Sequence, residues 1–324
     1  MKLWAVAALI AGLVTAVVLV FDVGFAEVFR AAGEIGWGGF ALICIAGIGV
    51  EILLATAWYT LMSAHGVRWG VLLFARQLRD SVSDILPFTA VGGMVIGARA
   101  AILGGASVRF AFAGMMVDVT AELVGQIAFL TLGLLVGINE LRADPRLGPY
   151  ASALIVSTAL LVPMAVAFVV LQHRGSRFAE NLAERFLPHA VSHTKAFADA
   201  LDGFYKRPLR ILLSSAVHLA AWMASGAWIW LVMRQVGAPI DILSAIAIES
   251  LAGGLRSATA FVPANLGVQE AGYAVLAPVF GVGPEIGLAV SLLKRARDIT
   301  IGVPIVLIWQ ALEGKRAFTG LESQ

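Results

Sequence analysis

Residues 71–105 read VLLFARQLRDSVSDILPFTAVGGMVIGARAAILGG, and residues 245–281 read AIAIESLAGGLRSATAFVPANLGVQEAGYAVLAPVFG. Both stretches are largely apolar, yet they carry charged residues and are interrupted by a proline and by glycines. The interruptions are Pro87, Gly92 and Gly93 in the first stretch, and Pro263 and Gly267 in the second. Because proline disfavours helix at and before its own position, each stretch predicts two short helices. Halves of about 15 residues are too short to cross hydrocarbon singly, so we predict two re-entrant helical hairpins.

The composition around these stretches is that of a membrane protein. The 324 residues are 60% hydrophobic and 14% charged, whereas a soluble domain carries about a quarter charged residues. Six further apolar runs of roughly 20 residues predict crossings at 3–21, 38–63, 107–138, 148–172, 209–236 and 284–312. We interpret the first run as a crossing, since no clear cleavage site for a signal peptide precedes Asp22. The predicted fold class is an all-α, polytopic transmembrane bundle that forms one membrane domain over 1–324.

The loop charges predict the orientation of these segments. The linker 173–208 is rich in arginine and lysine, and the C-terminal end carries Lys315 and Arg316, so both should be cytoplasmic. Part of the linker has the pattern of an amphipathic surface helix. Six crossings then place both termini on the cytoplasmic side of a bacterial inner membrane, with the two hairpins entering from opposite faces.

The two halves resemble each other weakly, as repeat 1 over about 1–138 and repeat 2 over about 148–316. The matched positions are Pro87 with Pro263 and Asp80 with Arg256 at a spacing of 176 residues, and Gly104 with Gly281 and Asp118 with Arg295 at 177. Each half holds three predicted crossings, an odd number, so the second repeat should be inverted. Inverted repeats around broken helices are a transporter architecture. Acids matched to bases predict ion pairs across the pseudo-two-fold axis.

Charged residues inside predicted membrane segments, Arg76 and Lys294 among them, are the candidate site. Each costs at least about 2.5–3.5 kcal/mol in hydrocarbon, so each should pair or line a wet cavity. Candidates for headgroup binding are Arg79, Arg99, Arg256, Arg295, Arg297, Asn265 and Gln269. Candidates for charge coupling are Asp80, Asp84, Asp118, Glu122, Glu249, Glu270 and Asp298. Asp118 and Glu122 should share a helix face, and Arg295 should pair with Asp298. The alternative is that these residues are structural ion pairs. Glu51 fits a proton relay or a packing role equally well, and His218 is expected to be a hydrogen-bonded core residue.

Several classes of function are not expected. A net charge of +2 does not favour nucleic-acid binding, and the single cysteine, Cys44, cannot form an intrachain disulfide. The sequence has no zinc-ligand spacing, P-loop or nucleophile elbow, so we expect no metal, no cofactor and no enzymatic activity.

Two blocks of sequence resemble a known family. The first runs from Arg79-Asp80 through LPFTAVGGMVIGAR to Asp118-Val-Thr-Ala-Glu122, and the second joins FVPANLGVQEAGY to SLLKRARD at 291–298. Both resemble the hopanoid-biosynthesis-associated HpnL membrane proteins, which are similar to the MprF-like family defined by the membrane domain of lysylphosphatidylglycerol synthase. The resemblance implies membrane lipids, hopanoid or phospholipid, as partners. It does not imply synthase activity, because the separate aminoacyl-transfer domain of the MprF relatives has no counterpart in these 324 residues. The chain departs from the HpnL pattern at Met94, where an acid is expected.

The expected function is therefore a lipid transporter or flippase, with alternating access between the two repeats. Two alternatives stay open: a secondary transporter for a small solute or ion, and a non-transporting scaffold for a lipid-biosynthesis complex. A homo-oligomer and protein partners from lipid biosynthesis are both compatible with the sequence.

Overall fold

The computed structural model describes residues 35–85, 90–143, 191–238, 240–259, 265 and 267–322, together with scattered positions between 152 and 174. These residues form helices and connecting turns, and none of them lies in a strand. The helices are α1 (Gly36–Met62), α2 (Trp69–Ile85), α3 (Ala90–Leu103), α4 (Val108–Ala143), α5 (Val191–Tyr205), α6 (Pro208–Gln235), α7 (Ile242–Ala258), α8 (Val268–Leu276) and α9 (Pro284–Glu322).

Within the described residues, three helices are long and apolar enough to cross a membrane: Gly36–His65, Val108–Gly137 and Pro208–Gln235. They correspond to the crossings predicted at 38–63, 107–138 and 209–236, so the prediction of a multi-pass helical membrane protein is confirmed. The crossing predicted at 284–312 lies in α9, which is one continuous helix but is too charged around residues 294–298 to be counted with these three. The crossing predicted at 3–21 lies outside the described residues, and the one at 148–172 is described only at scattered helical positions.

The first broken stretch forms two antiparallel helices, α2 and α3, in direct contact. A Cβ added at Gly97 would lie 2.9 Å from the Cβ of Arg79 and 3.0 Å from the carbonyl oxygen of Ala75, and one at Gly104 would meet the side chain of Val71. Successively later residues of α3 contact successively earlier residues of α2, so the two helices are antiparallel. Small residues lie along their interface, here called the glycine seam, as is usual where membrane helices pack closely.

The second broken stretch forms a shorter pair, α7 and α8. Leu255 on α7 lies against Gly272 on α8, and Arg256 donates a hydrogen bond to Gln269 at 3.2 Å. Helix α8 has nine residues, or about 14 Å at 1.5 Å per residue, which is half the depth of a hydrocarbon core.

The position of the breaks differs partly from the prediction. Gly92 and Gly93 lie inside α3, which begins at Ala90, so the prediction that they interrupt the helix was wrong. Gly93 instead permits close packing, because a Cβ there would lie 2.5 Å from the carbonyl oxygen of Arg79. Gly267 does lie at a break, as the N-cap of α8 with φ +77°, and Asn265 beside it has φ +48°. Pro87 and Pro263 lie outside the described residues.

Two apolar cores occupy opposite ends of the bundle. One is built on the first half of α1, the second halves of α4 and α6, helices α7 and α8, and the first half of α9, and it includes Trp228 and Tyr273. The other is built on the second half of α1, the first half of α4, helices α2, α3 and α5, and the later part of α9, and it includes Trp58 and Met115.

Between the two cores lies a polar layer at mid-depth. Glu51 in α1, Asp118 in α4 and His218 in α6 are each at least roughly 15 Å along the helix axis from the nearer end of their spanning helix. That distance is about half of a hydrocarbon core of roughly 30 Å. These three side chains therefore lie well inside apolar spanning helices, where an isolated charge is unfavourable.

The order of elements occurs twice. A spanning helix, an antiparallel pair and a long helix follow one another as α1 to α4 and again as α6 to α9. Between the two sets, α5 occupies part of the predicted linker, with one face buried at Ala198, Leu201 and Phe204 and with Lys195 exposed on the other. This order is the one that the predicted repeat requires, while the inverted relation and the re-entrant placement of the pairs stay predictions.

Candidate functional site

The first part of the site is an ion-pair network between α2 and α4. Arg76 lies between three carboxylates, at 2.6 Å from Asp80, 3.1 Å from Asp118 and 2.8 Å from Glu122. Arg79, one turn further along α2, reaches the same Asp118 at 3.1 Å and Glu122 at 2.8 Å. Spacings of three and four residues place the bases on one face of α2 and the acids on one face of α4, as predicted for Asp118 and Glu122.

His218 joins this network from α6. Its Nε2 lies 3.0 Å from Oδ1 of Asp118, and both side chains are fully buried. The two helices approach closely because α4 has a glycine at this level: a Cβ on Gly125 would lie 2.9 Å from the Cβ of His218 and 3.0 Å from the carbonyl oxygen of Ser215. The expectation that His218 is a hydrogen-bonded core residue agrees with this position.

Asp118, Glu122 and His218 also have the spacing of metal ligands, since their ligand atoms lie within 4.8 Å of one another. Both carboxylates, however, already accept hydrogen bonds from Arg76 and Arg79. Two guanidinium groups would oppose a cation electrostatically at this point, so the geometry favours an ion-pair network over a metal centre.

The second network surrounds Glu249, which is fully buried on α7. Its carboxylate accepts hydrogen bonds from Lys294 at 2.5 Å, from the Ser225 hydroxyl at 2.8 Å and from Arg256 at 3.3 Å. The Tyr273 hydroxyl donates to its other oxygen. With four donors from four helices, Glu249 ties α6, α8 and α9 to α7, as a buried charge requires if it is to stay ionised.

Two further ion pairs lie on α9. Arg297 pairs with its neighbour Asp298 at 2.5 Å and stacks on the ring of Trp228, with 4.3 Å between Cζ and the ring centroid. Arg295 pairs with Glu270 of α8 at 2.6 Å. The predicted pair of Arg295 with Asp298 is therefore absent, because each finds a closer partner.

A polar cavity of about 210 Å³ lies where these networks meet. It lies between α2 of the first antiparallel pair and α7 and α8 of the second, with further walls from α1, α4, α6 and α9. Its charged and amide-bearing lining residues are Glu51, Arg76, Asp80, Asp84, Glu122, Glu249, Arg256, Asn265, Gln269, Lys294, Arg297 and Asp298.

The structure brings most of the predicted site residues to this cavity and leaves the others elsewhere. Arg79 and Asp118 lie behind its wall in the first network, and Arg295 and Glu270 pair with each other away from it. Arg99 is more distant, in an exposed pair with Glu313 at 2.7 Å.

The predicted ion pairs across the pseudo-two-fold axis were wrong. Asp80 pairs with Arg76 and not with Arg256, which binds Glu249 instead. Asp118 likewise pairs with α2 and not with Arg295. In each half, the buried charged residues of the antiparallel pair instead face those of the long helix that follows, whereas the exposed Arg99 of α3 pairs with Glu313 of α9.

Several residues of the site were not among the predicted ones. These are Ser225 and Tyr273, which bind Glu249, and Gly47, whereas Arg76 and Lys294, the central bases of the two networks, are among the charges that the sequence places inside membrane segments. A Cβ on Gly47 would lie 2.5 Å from Cδ of Arg297, so this glycine makes room for the arginine beside α1. The three uncharged residues lack the signal that identified the others, namely charge inside an apolar segment.

Comparison with known proteins identifies the family. Residues 4–305 match the family described as the lysylphosphatidylglycerol synthase TM region. Searches of curated proteins and of solved structures each found no match. Since the match covers nearly the whole sequence and the described helices include three membrane spans, the chain belongs to the lysylphosphatidylglycerol synthase TM region family of lipid-related, multi-pass membrane proteins.

Proposed function

We propose that this protein is a lipid transporter of the flippase type in a bacterial inner membrane, with both termini cytoplasmic. It moves the polar headgroup of a hopanoid or phospholipid through the cavity between the two antiparallel pairs, while the apolar tail stays in the bilayer. The observation that supports the proposal most is the cavity itself, about 210 Å³ in volume and lined with charged side chains from both pairs. A cavity of this size fits a headgroup and not a whole lipid.

Arg256 is the basic residue best placed to bind a headgroup phosphate. Its side chain is 16% exposed, and its contact with Glu249 is the longest of the four that this carboxylate accepts. Lys294, Ser225 and Tyr273 would continue to satisfy Glu249 if Arg256 turned toward a ligand. The exchange therefore leaves no buried charge without a partner.

Asn265 and Gln269 line the same side of the cavity and complete the proposed headgroup site. Gln269 already accepts a hydrogen bond from Arg256, so its amide orients the guanidinium. The non-helical backbone near Gly267 allows these groups to approach the cavity at mid-depth, as broken helices do at transporter sites. Because the site binds and orients without a reactive group, we propose transport without chemical conversion.

Alternating access requires the two antiparallel pairs to move relative to the spanning helices. Close contacts at Gly93, Gly97 and Gly104 hold α3 against α2, so this pair can move as one unit. Rocking of one repeat against the other would expose the cavity to each face in turn.

The test is lipid movement in proteoliposomes. Purified protein is reconstituted with a fluorescent phosphatidylglycerol, and an impermeant quencher reports the fraction of label in the outer leaflet. We expect movement above that of empty vesicles, and a roughly tenfold slower rate for Arg256→Ala, the cost of one charged hydrogen bond. Arg234→Ala is the matched control, because Arg234 is exposed and stacks on Trp230 outside the cavity. Equal rates for Arg256→Ala and the parent, or none above empty vesicles, would overturn the proposal.

A second candidate, a transporter for a small polar solute, is favoured by the modest volume of the cavity. Uptake of a solute into lipid-tight proteoliposomes, without movement of the fluorescent lipid, would favour it over the flippase. The scaffold alternative predicts that cavity substitutions leave the cellular phenotype intact, whereas substitutions on the exposed face of α5 abolish it.

A further inference from the structure

The charges that line the cavity do not balance. Six carboxylates and four basic side chains face it, a formal net charge of −2. The four bases are all engaged: Arg76 with Asp80 and Glu122, Arg256 and Lys294 with Glu249, and Arg297 with Asp298. The net charge stays at −2 when the buried Arg79 and Asp118 behind the cavity wall are included, because these two residues carry opposite charges.

Glu51 and Asp84 account for this excess. Among the described residues, neither has an ion pair or a side-chain hydrogen bond, and Oε2 of Glu51 is buried without a donor. All other acids of the cavity are bound to a base. An ionised carboxylate with an oxygen buried away from any donor is strongly unfavourable, so Glu51 must either bind a cation or become neutral. Asp84 is more exposed and lies on the wall of the same cavity, where it can share a proton with Glu51.

The space beside these two acids is small. Glu51 and Asp84 also line a side chamber of about 20 Å³ next to the main cavity, together with Asp80, Arg297 and Asp298. That volume holds about one water molecule. It is too small for an ammonium headgroup, and a single water is the usual carrier of a proton between carboxylates.

We propose that Glu51 and Asp84 form a proton-binding site that couples lipid movement to a proton gradient; this rests on the proposed transport function. Protonation of both acids brings the cavity lining to neutrality, which favours entry of an anionic headgroup toward Arg256. Loss of the protons on the other face restores the negative charge and expels the headgroup. Protons and an anionic headgroup therefore move together, and each stabilises the binding of the other.

The surroundings of the two acids favour protonation. The charged groups that face them are Arg76 and Asp80 from α2, Glu122 from α4, Glu249 and Arg256 from α7, and Lys294, Arg297 and Asp298 from α9. The nearest acids, Asp80 and Asp298, oppose ionisation, while the nearest bases are already held by their own carboxylates.

The proton site can be tested without transport. Infrared difference spectra of the purified protein, taken between alkaline and mildly acidic buffer, should show carbonyl bands of newly protonated carboxyl groups. Glu51→Gln and Asp84→Asn should each remove part of this signal. Glu313→Gln, in the exposed pair with Arg99, is the control and should retain the bands that are lost in Glu51→Gln and Asp84→Asn. Because neither substitution in the site breaks an ion pair, both variants should fold. Spectra unchanged in both site variants would overturn the proposal.

Transport then tests the coupling. In proteoliposomes, a proton gradient should accelerate movement of the fluorescent phosphatidylglycerol severalfold for the parent and have no effect on Glu51→Gln. If lipid moves but the gradient never matters, or if a sodium gradient replaces it, the coupling is wrong while the flippase stands. If no lipid moves but the infrared signal is lost in the variants, the proposed function fails while the proton site stands.

Discussion

Asp118 shows why single charges in this protein are tolerated at membrane depth. It is fully buried, yet Arg76, Arg79 and His218 all contact its two oxygens. The carboxylate is therefore solvated by side chains in place of water. Removing such a centre leaves two guanidinium groups short of a partner, which costs more than the loss of any one hydrogen bond.

We predict that Asp118→Asn lowers the free energy of unfolding by about 3–5 kcal/mol, the range for breaking a buried ion pair. Thermal unfolding in detergent, followed by circular dichroism, measures the change. Asp199→Asn on the exposed face of α5 is the control and should leave the midpoint unchanged. A midpoint for Asp118→Asn within error of the parent would show that Glu122 alone balances the arginines.

The sequence predicts the location of such residues better than their partners. A charged residue inside an apolar run is easily recognised in the sequence. A spacing of four residues also correctly placed Asp118 and Glu122 on one face of their helix. The same reasoning failed for Arg295 and Asp298, because neighbouring helices offered closer partners. Contacts between elements depend on the packing of helices, which spacing along one helix does not encode.

At the scale of elements, α7 begins with a well-formed cap. Asp241 accepts hydrogen bonds from the backbone N–H groups of Leu243 and Ser244 at 2.9 and 3.0 Å, and one from the Ser244 hydroxyl. These hydrogen bonds, first of all that of the Ser244 hydroxyl, hold the pKa of the Asp241 carboxyl below its ordinary value. The cap lies in the turn before α7, outside the spanning helices.

We predict that Asp241→Ala weakens the start of α7 by about 1 kcal/mol at neutral pH. Because the pKa is lowered in the folded state, the contribution is present above the unfolded value of about 3.9 and is lost as the pH falls through the folded value. Hydrogen exchange over residues 242–246, compared at neutral and acidic pH, measures it. A difference from the parent that persists undiminished in acid would contradict the charged cap.

The pair of α2 and α3 depends on its glycines. Gly93→Ala places a methyl group against the Arg79 carbonyl and the Ser83 hydroxyl, which forces the helices apart. We expect a lower unfolding midpoint in detergent and loss of the compact species on gel filtration. Gly49→Ala is the control, since nothing lies within 4 Å of its added Cβ and alanine favours helix. Equal loss in both variants would show that the seam plays no special part.

The two antiparallel pairs could be predicted from proline and glycine within long apolar stretches, whereas the function of individual glycines could not. Gly92 and Gly93 resembled a break but lie within α3. From the sequence alone, a glycine that ends a helix cannot be distinguished from a glycine that lets a neighbouring helix pack closely. Only the position of the second helix distinguishes them.

At the scale of the whole molecule, the re-entrant placement can be tested by accessibility. If α2 and α3 return to the side from which they enter, residues before α2 and after α3 face the same compartment. In a Cys44→Ser background, Arg68→Cys and Ser107→Cys, both exposed, should react with an impermeant thiol reagent from the cytoplasmic side. Leu243→Cys, at the exposed start of α7, should react from the opposite side. Labelling of residues 68 and 107 from different sides would mean that the first pair crosses the membrane.

The existence of a polar cavity could be predicted from an energetic argument that applies to the whole chain. Many charged residues inside membrane segments must either pair or line a shared, water-accessible cavity. The cavity agrees with that argument. What the sequence does not provide is the balance of charge within it, because Glu51 and Asp84 differ from the other acids only in lacking a partner. Which acids lack a basic partner can be seen only in the folded structure, where the ion pairs of the other acids are known.

The pairing of charges between neighbours along the chain bears on how the protein is made. Arg76 and Arg79 are synthesised before Asp118 and Glu122, and Glu249 before Lys294. When α4 and α9 emerge from the ribosome, the counterions of these charged residues have therefore already been synthesised. Each long helix thus neutralises charges of the antiparallel pair that precedes it, so these ion pairs can form before the rest of the polypeptide has been made.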